Sequence, residues 1–240
     1  MNAYTLQFLF IERMIIPKKN ISIPKAVDLR LSVKWASFNL GASKPEEYGD
    51  YIAWGDTSPY YSSQNPLTWN EGKESGYKWA SYKWCKGAVF TLTKYCDQDD
   101  EGYNGFTDKK TILDLEDDTA TVVLGNKWRM PTSAEWDELI INCTWNWVIE
   151  NGVGGMKVTS RVNGNSIFFP AAGERWTHEH GADSHDTNLR HGGSYGYYWS
   201  SSLGMTNSIN AWCLNFGAEG KKFIEMYRCR GFPIRPVYAE

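Results

Sequence analysis

The chain has 240 residues, a formal net charge of −3, 42% hydrophobic and 15% aromatic residues. At this length folding buries roughly 70–75% of the chain's surface, enough for a sizeable core. The slightly acidic balance gives no electrostatic case for nucleic acid or an anionic membrane, and no apolar run approaches the ~20 residues of a membrane span.

Residues 1–26 begin "MNAYTLQFLFIERMIIPKKN", an apolar patch without a basic n-region or a small-residue cleavage site. It does not read as a signal peptide, so export by that route is expected only with a leader that this sequence lacks. The stretch ends in "PKKNISIPKA", a Pro/Lys lead-in rather than core. From Val27 onward short apolar–polar alternations persist, with no second linker and no internal repeat. One compact domain over 27–240 is expected.

In "DQDDEGYNGFTD" the residues Asp97, Asp99, Glu101, Gly102 and Asp108 fall at positions 1, 3, 5, 6 and 12 of an EF-hand-like calcium loop. Asn104 sits where an apolar residue belongs, Asp108 replaces the bidentate Glu, and the flanks are poor helices. A solvated acidic turn is expected. Two helices follow. "EDDTATVVLG" offers Asp117 or Asp118 as cap and Gly125 as stop. "MPTSAEWDELIINC" offers Thr132 and Glu135 as a capping box, with Trp136, Leu139 and Ile140 on one face.

"MKVTSRVNGNSIFFP" predicts a hairpin turning on Asn163-Gly164 in a type I′ turn. Met156, Val158, Ser160 and Val162 would share one face. The stretch "HEHGADSHDTNLRH" then holds all four histidines, His178, His180, His185 and His191. His178 and His180 could begin a metal site, but nothing regular would hold three imidazoles rigid. An exposed polar loop is the expectation, with no metal and no cofactor.

"GYYWSSS", "AWCLNF" and "KKFIEMY" predict three more strands. No GxSxG elbow precedes Ser200, and "GVGG" lacks phosphate-loop spacing. Five cysteines without a CxxC pair suggest scattered free thiols. By parity Trp212, Leu214 and Phe216 share a core face, leaving Cys213 and Asn215 opposite. If Ile224 and Met226 face inward, then Phe223, Tyr227 and Cys229 face outward, with Phe232 just beyond. Large apolar side chains outside mean an interaction surface, unless a second layer covers them. The elements together predict an α+β fold of two helices, several short antiparallel strands and much loop.

The blocks "VDLRLSVKWASFNLGASKPEEYGDYIAWGD", "WRMPTSAEWDELIINCTW", "GVGGMKVTSRVNGNSIFFPAAGER", "GGSYGYYWSSS" and "GFPIRPV" resemble the FISUMP-type domain, a lectin-like module abundant in gut bacteria and their mobile elements. The resemblance covers about residues 27–240. Arg30 departs from it, standing where such proteins usually have Gly. It implies a C-type lectin-like fold of the formylglycine-generating-enzyme type. Some members are variable proteins of diversity-generating retroelements, in which Asn-type codons are rewritten at their adenines near the C-terminus.

The resemblance therefore implies a non-catalytic protein whose binding surface lies within 177–233. Its ligand would be an unidentified protein or glycan on a cell or virion surface. The candidate contact residues are His178, His180, His185, Arg190, His191, Cys213, Asn215, Phe223, Tyr227, Cys229, Arg230 and Phe232, with Glu179 and Glu225 fixed. One alternative is a surface module without diversification; the EPN, QPD and WND triplets of calcium-dependent lectins are absent. Another is a formylglycine-generating oxidase, which needs a close cysteine pair, whereas Cys213 and Cys229 lie sixteen residues apart.

Overall fold

A computed structural model of the chain describes residues 21–64, 67–70, 76–177 and 189–239. In chain order the first strands are β1 (Ala26–Val27), β2 (Lys34–Ala36), β3 (Tyr51–Ile52), β4 (Tyr61–Gln64), β5 (Leu67–Trp69) and β6 (Trp128–Arg129). Next come β7 (Cys143–Glu150), β8 (Val153–Ser160), β9 (Ser166–Pro170), β10 (Glu174–Arg175) and β11 (Leu189–Arg190). The last are β12 (Tyr195–Leu203), β13 (Asn210–Gly217), β14 (Gly220–Tyr227), β15 (Phe232–Pro233) and β16 (Val237–Tyr238). Helix α1 (Thr119–Leu124) precedes β6 and helix α2 (Ser133–Asn142) follows it. Many short strands and two α-helices among the described residues make this a strand-rich α+β arrangement. No helix is long and apolar enough to cross a membrane.

Both helices start where their caps dictate. The Thr132 hydroxyl accepts the Glu135 amide while the Glu135 carboxylate accepts the Thr132 amide at 2.8 Å. Arg129 on β6 grips the same carboxylate with both terminal nitrogens, one at 2.7 Å. Trp136 and Leu139 are wholly buried. For α1 the cap is Asp118, which accepts the Thr121 amide at 3.0 Å, and Gly125 ends the helix at φ +92°. Asp117 is drawn elsewhere, to Lys94 at 2.6 Å and to the Tyr95 hydroxyl at 2.7 Å.

The β7–β8–β9 sheet contains the expected hairpin with a different turn. Five residues, 161–165, separate β8 from β9, and only Gly164 of the Asn163-Gly164 pair has positive φ. A type I′ turn needs both. The side-chain Nδ2 groups of Asn163 and Asn165 both donate to the Asp28 carbonyl, at 2.9 and 2.8 Å. The loop is thereby held against the first strands. Met156, Val158 and Ser160 keep their shared buried face, but Val162 lies in the turn, 74% exposed. Arg30, in the neighbouring loop, sits at φ +58°, a conformation that Gly adopts without strain.

The β12–β13–β14 sheet is central, and apolar side chains cover both of its faces. On one side Tyr198, Leu214 and Phe216 join Trp35, Trp136 and Phe169. On the other, Trp199, Ala211 and Cys213 join Trp54, Phe232 and Ile234. A third cluster of Tyr51, Tyr60, Tyr77, Tyr82 and Trp79 packs around Cys96 and Cys229. The last strand, β16, lies between β2 and β6, so the final residues close a sheet begun by the first ones described.

Arg228 and Arg235 are fully buried. Arg228 donates to the carbonyls of Tyr95 (2.8 Å), Ser208 (2.7 Å) and Lys94 (3.0 Å). Arg235 donates to Asn39 Oδ1 (2.8 Å) and to the carbonyls of Ala36 (3.0 Å) and Phe168 (2.7 Å). Burial pulls the Arg235 pKa down to about 10.

Two predictions follow from these contacts. Arg235→Met leaves three buried acceptors without donors, each worth about 1–3 kcal/mol, so denaturant unfolding should show a loss of at least about 3 kcal/mol. Burial pushes the Glu135 carboxyl up, but the bonds from Arg129 and Thr132 outweigh it and hold the pKa below the ordinary 4.5. Such a group stabilises the fold above the usual carboxylate range, and the stabilisation fades as pH falls through the lowered value. Glu135→Gln should therefore be less stable than the parent at pH 7, with the gap closing in acid. Parallel urea midpoints from pH 7 to pH 3 would contradict this.

Candidate ligand-binding face

The glycine and arginine of "GERW" set the geometry of the candidate face. Gly173 adopts φ +64°, and any Cβ there would collide with the Arg190 carbonyl. Its smallness lets β10 and β11 pair, with Glu174 opposite Arg190. Arg175 and Gly231 exchange backbone hydrogen bonds at 2.9 and 2.8 Å, which brings the chain after β14 alongside.

Around this junction two guanidinium groups stand over the Trp176 ring, Arg230 at 4.0 Å and Arg190 at 5.6 Å from its centre. Arg230 also pairs with the buried Glu174 at 2.8 Å and lies 5.7 Å from the Tyr227 ring. Tyr227, 40% exposed, meets Trp79 edge-on at 5.9 Å. His191 is exposed, contacts Tyr195 edge-on at 5.6 Å and lies 6.4 Å from Tyr197. Cation–π pairs of this kind contribute about 0.5–2 kcal/mol and hold the guanidinium planes in place.

Of the residues expected here, Arg190, His191, Tyr227 and Arg230 fall among these contacts, with Tyr195 and Tyr227 at opposite ends of the β12–β13–β14 sheet. His178, His180 and His185 lie outside the described residues. Phe223 is half-buried, stacked on Trp212 at 5.0 Å. The expected outward placement of Cys213, Asn215, Cys229 and Phe232 is not found. Cys213, Cys229 and Phe232 are 0% exposed. Phe232 stacks on Trp199 at 4.2 Å. Asn215 is buried and donates to the Gly196 carbonyl at 3.3 Å.

The cause is register. Parity within each strand is right, but the pairing sets Leu214 opposite Phe223 and Cys213 opposite Ile224. Opposed residues share a face, so the "inner" residues inferred for β13 and β14 lie on opposite faces. Both faces are covered, as a second layer would require. Sequence reasoning also missed Glu174, Trp176 and Tyr195. The available signal was Trp176, an aromatic side chain adjoining the histidine-rich stretch.

Metal-like clusters have other work. Asp108 accepts the amides of Tyr95 (2.8 Å) and Cys96 (2.9 Å), and Glu101 accepts the Ser208 amide at 2.6 Å. Asp97 pairs with Lys109 at 3.5 Å. The acids of the calcium-like loop therefore serve separate anchors. Asp114, Glu116 and Asp117 do converge, but the Lys94 ammonium stands among them at 2.9, 3.2 and 2.6 Å. Burial lowers the Lys94 pKa, and the three carboxylates outweigh it and raise it. All five cysteines are free thiols, and burial pushes the Cys213 pKa far up.

Comparison with protein families, with curated proteins and with solved structures returns no match to the chain.

Thiol accessibility checks the corrected geometry. In native protein a disulfide reagent at pH 8 should modify Cys85 first, leaving Cys213 and Cys229 unmodified until denaturant is added. Rapid native labelling of Cys213 would restore the outward placement.

Proposed function

We propose that this chain is a non-catalytic ligand-binding protein of the FISUMP-type, C-type lectin-like group. One observation carries the reading. Exposed or partly exposed Trp176, Arg190, His191, Tyr195 and Tyr227, with the largely buried Arg230 beneath, lie at the ends of a doubly packed sheet and on the segments beside it. Tyr, Trp and Arg supply most of the energy at binding hot spots. A rigid scaffold lets such residues change without disturbing the core. The ligand is a protein or glycan presented on a cell or virion surface.

Under this reading, retroelement diversification acts on the exposed residues alone. Arg190, Tyr195 and Tyr227 are free to vary; His191 is limited by its φ of +61°, and Cys213, Cys229 and Phe232 are bound by packing. An oxidase built on Cys213 is disfavoured because its buried thiol resists forming the thiolate such chemistry requires.

Two measurements test this. A library randomised at Arg190, Tyr195 and Tyr227 should keep melting temperatures close to the parent, whereas Phe232→Ala should cost about 3–5 kcal/mol. Widespread misfolding of that library would sink the proposal. In genomic DNA, an imperfect repeat of the coding sequence for about residues 175–237, differing only at adenines, supports diversification. Without such a repeat the protein is a fixed surface module.

A further inference from the structure

Away from the candidate face a cleft of about 660 Å³ opens between the loop after β2, strand β3, the start of β4 and helix α1. Its wall includes Leu40, Ala42, Ile52, Tyr61 and Val123, and the carboxylates of Glu47 and Asp50 stand along it. No residue of the proposed binding face lines it. The Thr119 hydroxyl, also in the lining, is buried with no hydrogen-bond partner among the described residues. An apolar cleft of this size, with a few polar groups, is the form of a binding site.

Ile21 and Ser22, the first residues described, are themselves part of the lining. The chain thus enters the body at this cleft. We propose that the cleft's occupant is the chain's own N-terminal segment, residues 1–20, folded back in cis as a strap. That segment carries Leu6, Phe8, Leu9, Phe10, Ile11, Met14, Ile15 and Ile16. These apolar side chains need a surface to cover them, and the cleft has apolar wall to offer.

Charge agrees with this assignment. Arg13, Lys18 and Lys19 against Glu12 leave the segment positive, opposite in sign to Glu47 and Asp50. Reach agrees as well, since five extended residues span up to ~17 Å. Ile16 is that far from Ile21 in sequence. Tethering raises the local concentration of the segment to roughly millimolar, so weak contacts suffice. The inference does not depend on the proposed binding function.

Hydrogen exchange on the full chain tests it. In the triple variant F8S/F10S/I15S, amides of residues 40–43, 50–62 and 119–123 should exchange about tenfold faster, as expected for a lost local cover. Strands β12–β14 should not change. Glu47→Lys should loosen the same amides, and adding Lys18→Glu and Lys19→Glu should restore their protection, which a purely local role for Glu47 does not predict. Unchanged exchange at the cleft in the triple variant overturns the proposal. So does protection that rises with protein concentration alongside a dimer in sedimentation, which assigns the strap to a second copy. A small molecule retained in the cleft by native mass spectrometry overturns it too.

Discussion

Two guanidinium groups without a carboxylate partner in the described structure hold together segments that no sheet connects. Buried backbone carbonyls that no ladder bond takes up must find other donors. Arg228 satisfies three of them, from residues 94, 95 and 208. Arg235 satisfies those of Ala36 and Phe168 together with the Asn39 side chain. A fork of five fixed donors can do this and a lysine cannot. Burying the charge is costly, and aromatic rings offset part of the cost. Arg228 lies 4.9 Å from the Trp54 ring and Arg235 4.5 Å from Phe169.

These two anchors determine what the residues between them can do. With Arg228 and Arg235 both fixed inside, Cys229, Phe232 and Ile234 are drawn into the core. Only Tyr227, just before the first anchor, and Arg230, tied to Glu174, reach the candidate face. The same economy governs the acids. Glu101, Asp108, Asp117 and Asp118 terminate buried amides or ammonium groups. What resembles a cation site in sequence is here a set of caps for a loop-rich body.

Much of the local structure was legible from residue order. The capping box at Thr132 and Glu135, the stop at Gly125 and the three C-terminal strands each rest on interactions within a few residues. The turn at Asn163-Gly164 was not, because its geometry answers to Asp28, more than a hundred residues away. The faces of β13 and β14 were not legible for a related reason. Alternation says which side chains of one strand travel together, but a shift of one residue in pairing exchanges faces. The tight turn pairing Gly217 with Gly220 fixes the register that puts Cys213 with Ile224, but whether that face is covered depends on other segments such as Trp54. Nothing in "AWCLNF" alone separates a covered face from an open one.

A sheet sealed on both sides offers a ligand only its ends, its edges and the loops above them. That limit reshapes any function proposed for the chain. Strand interiors such as Leu214 or Cys213 cannot vary without leaving a cavity or a clash. Side chains at the strand ends, Tyr195 and Tyr227, and Arg190 in a crossing segment can change at little cost to packing, whereas Arg230 is tied to the buried Glu174. The guanidinium groups over Trp176 give those segments a stiff base. The exposed aromatic and cationic side chains therefore belong to loop and edge residues, and the sheet contributes position rather than contact.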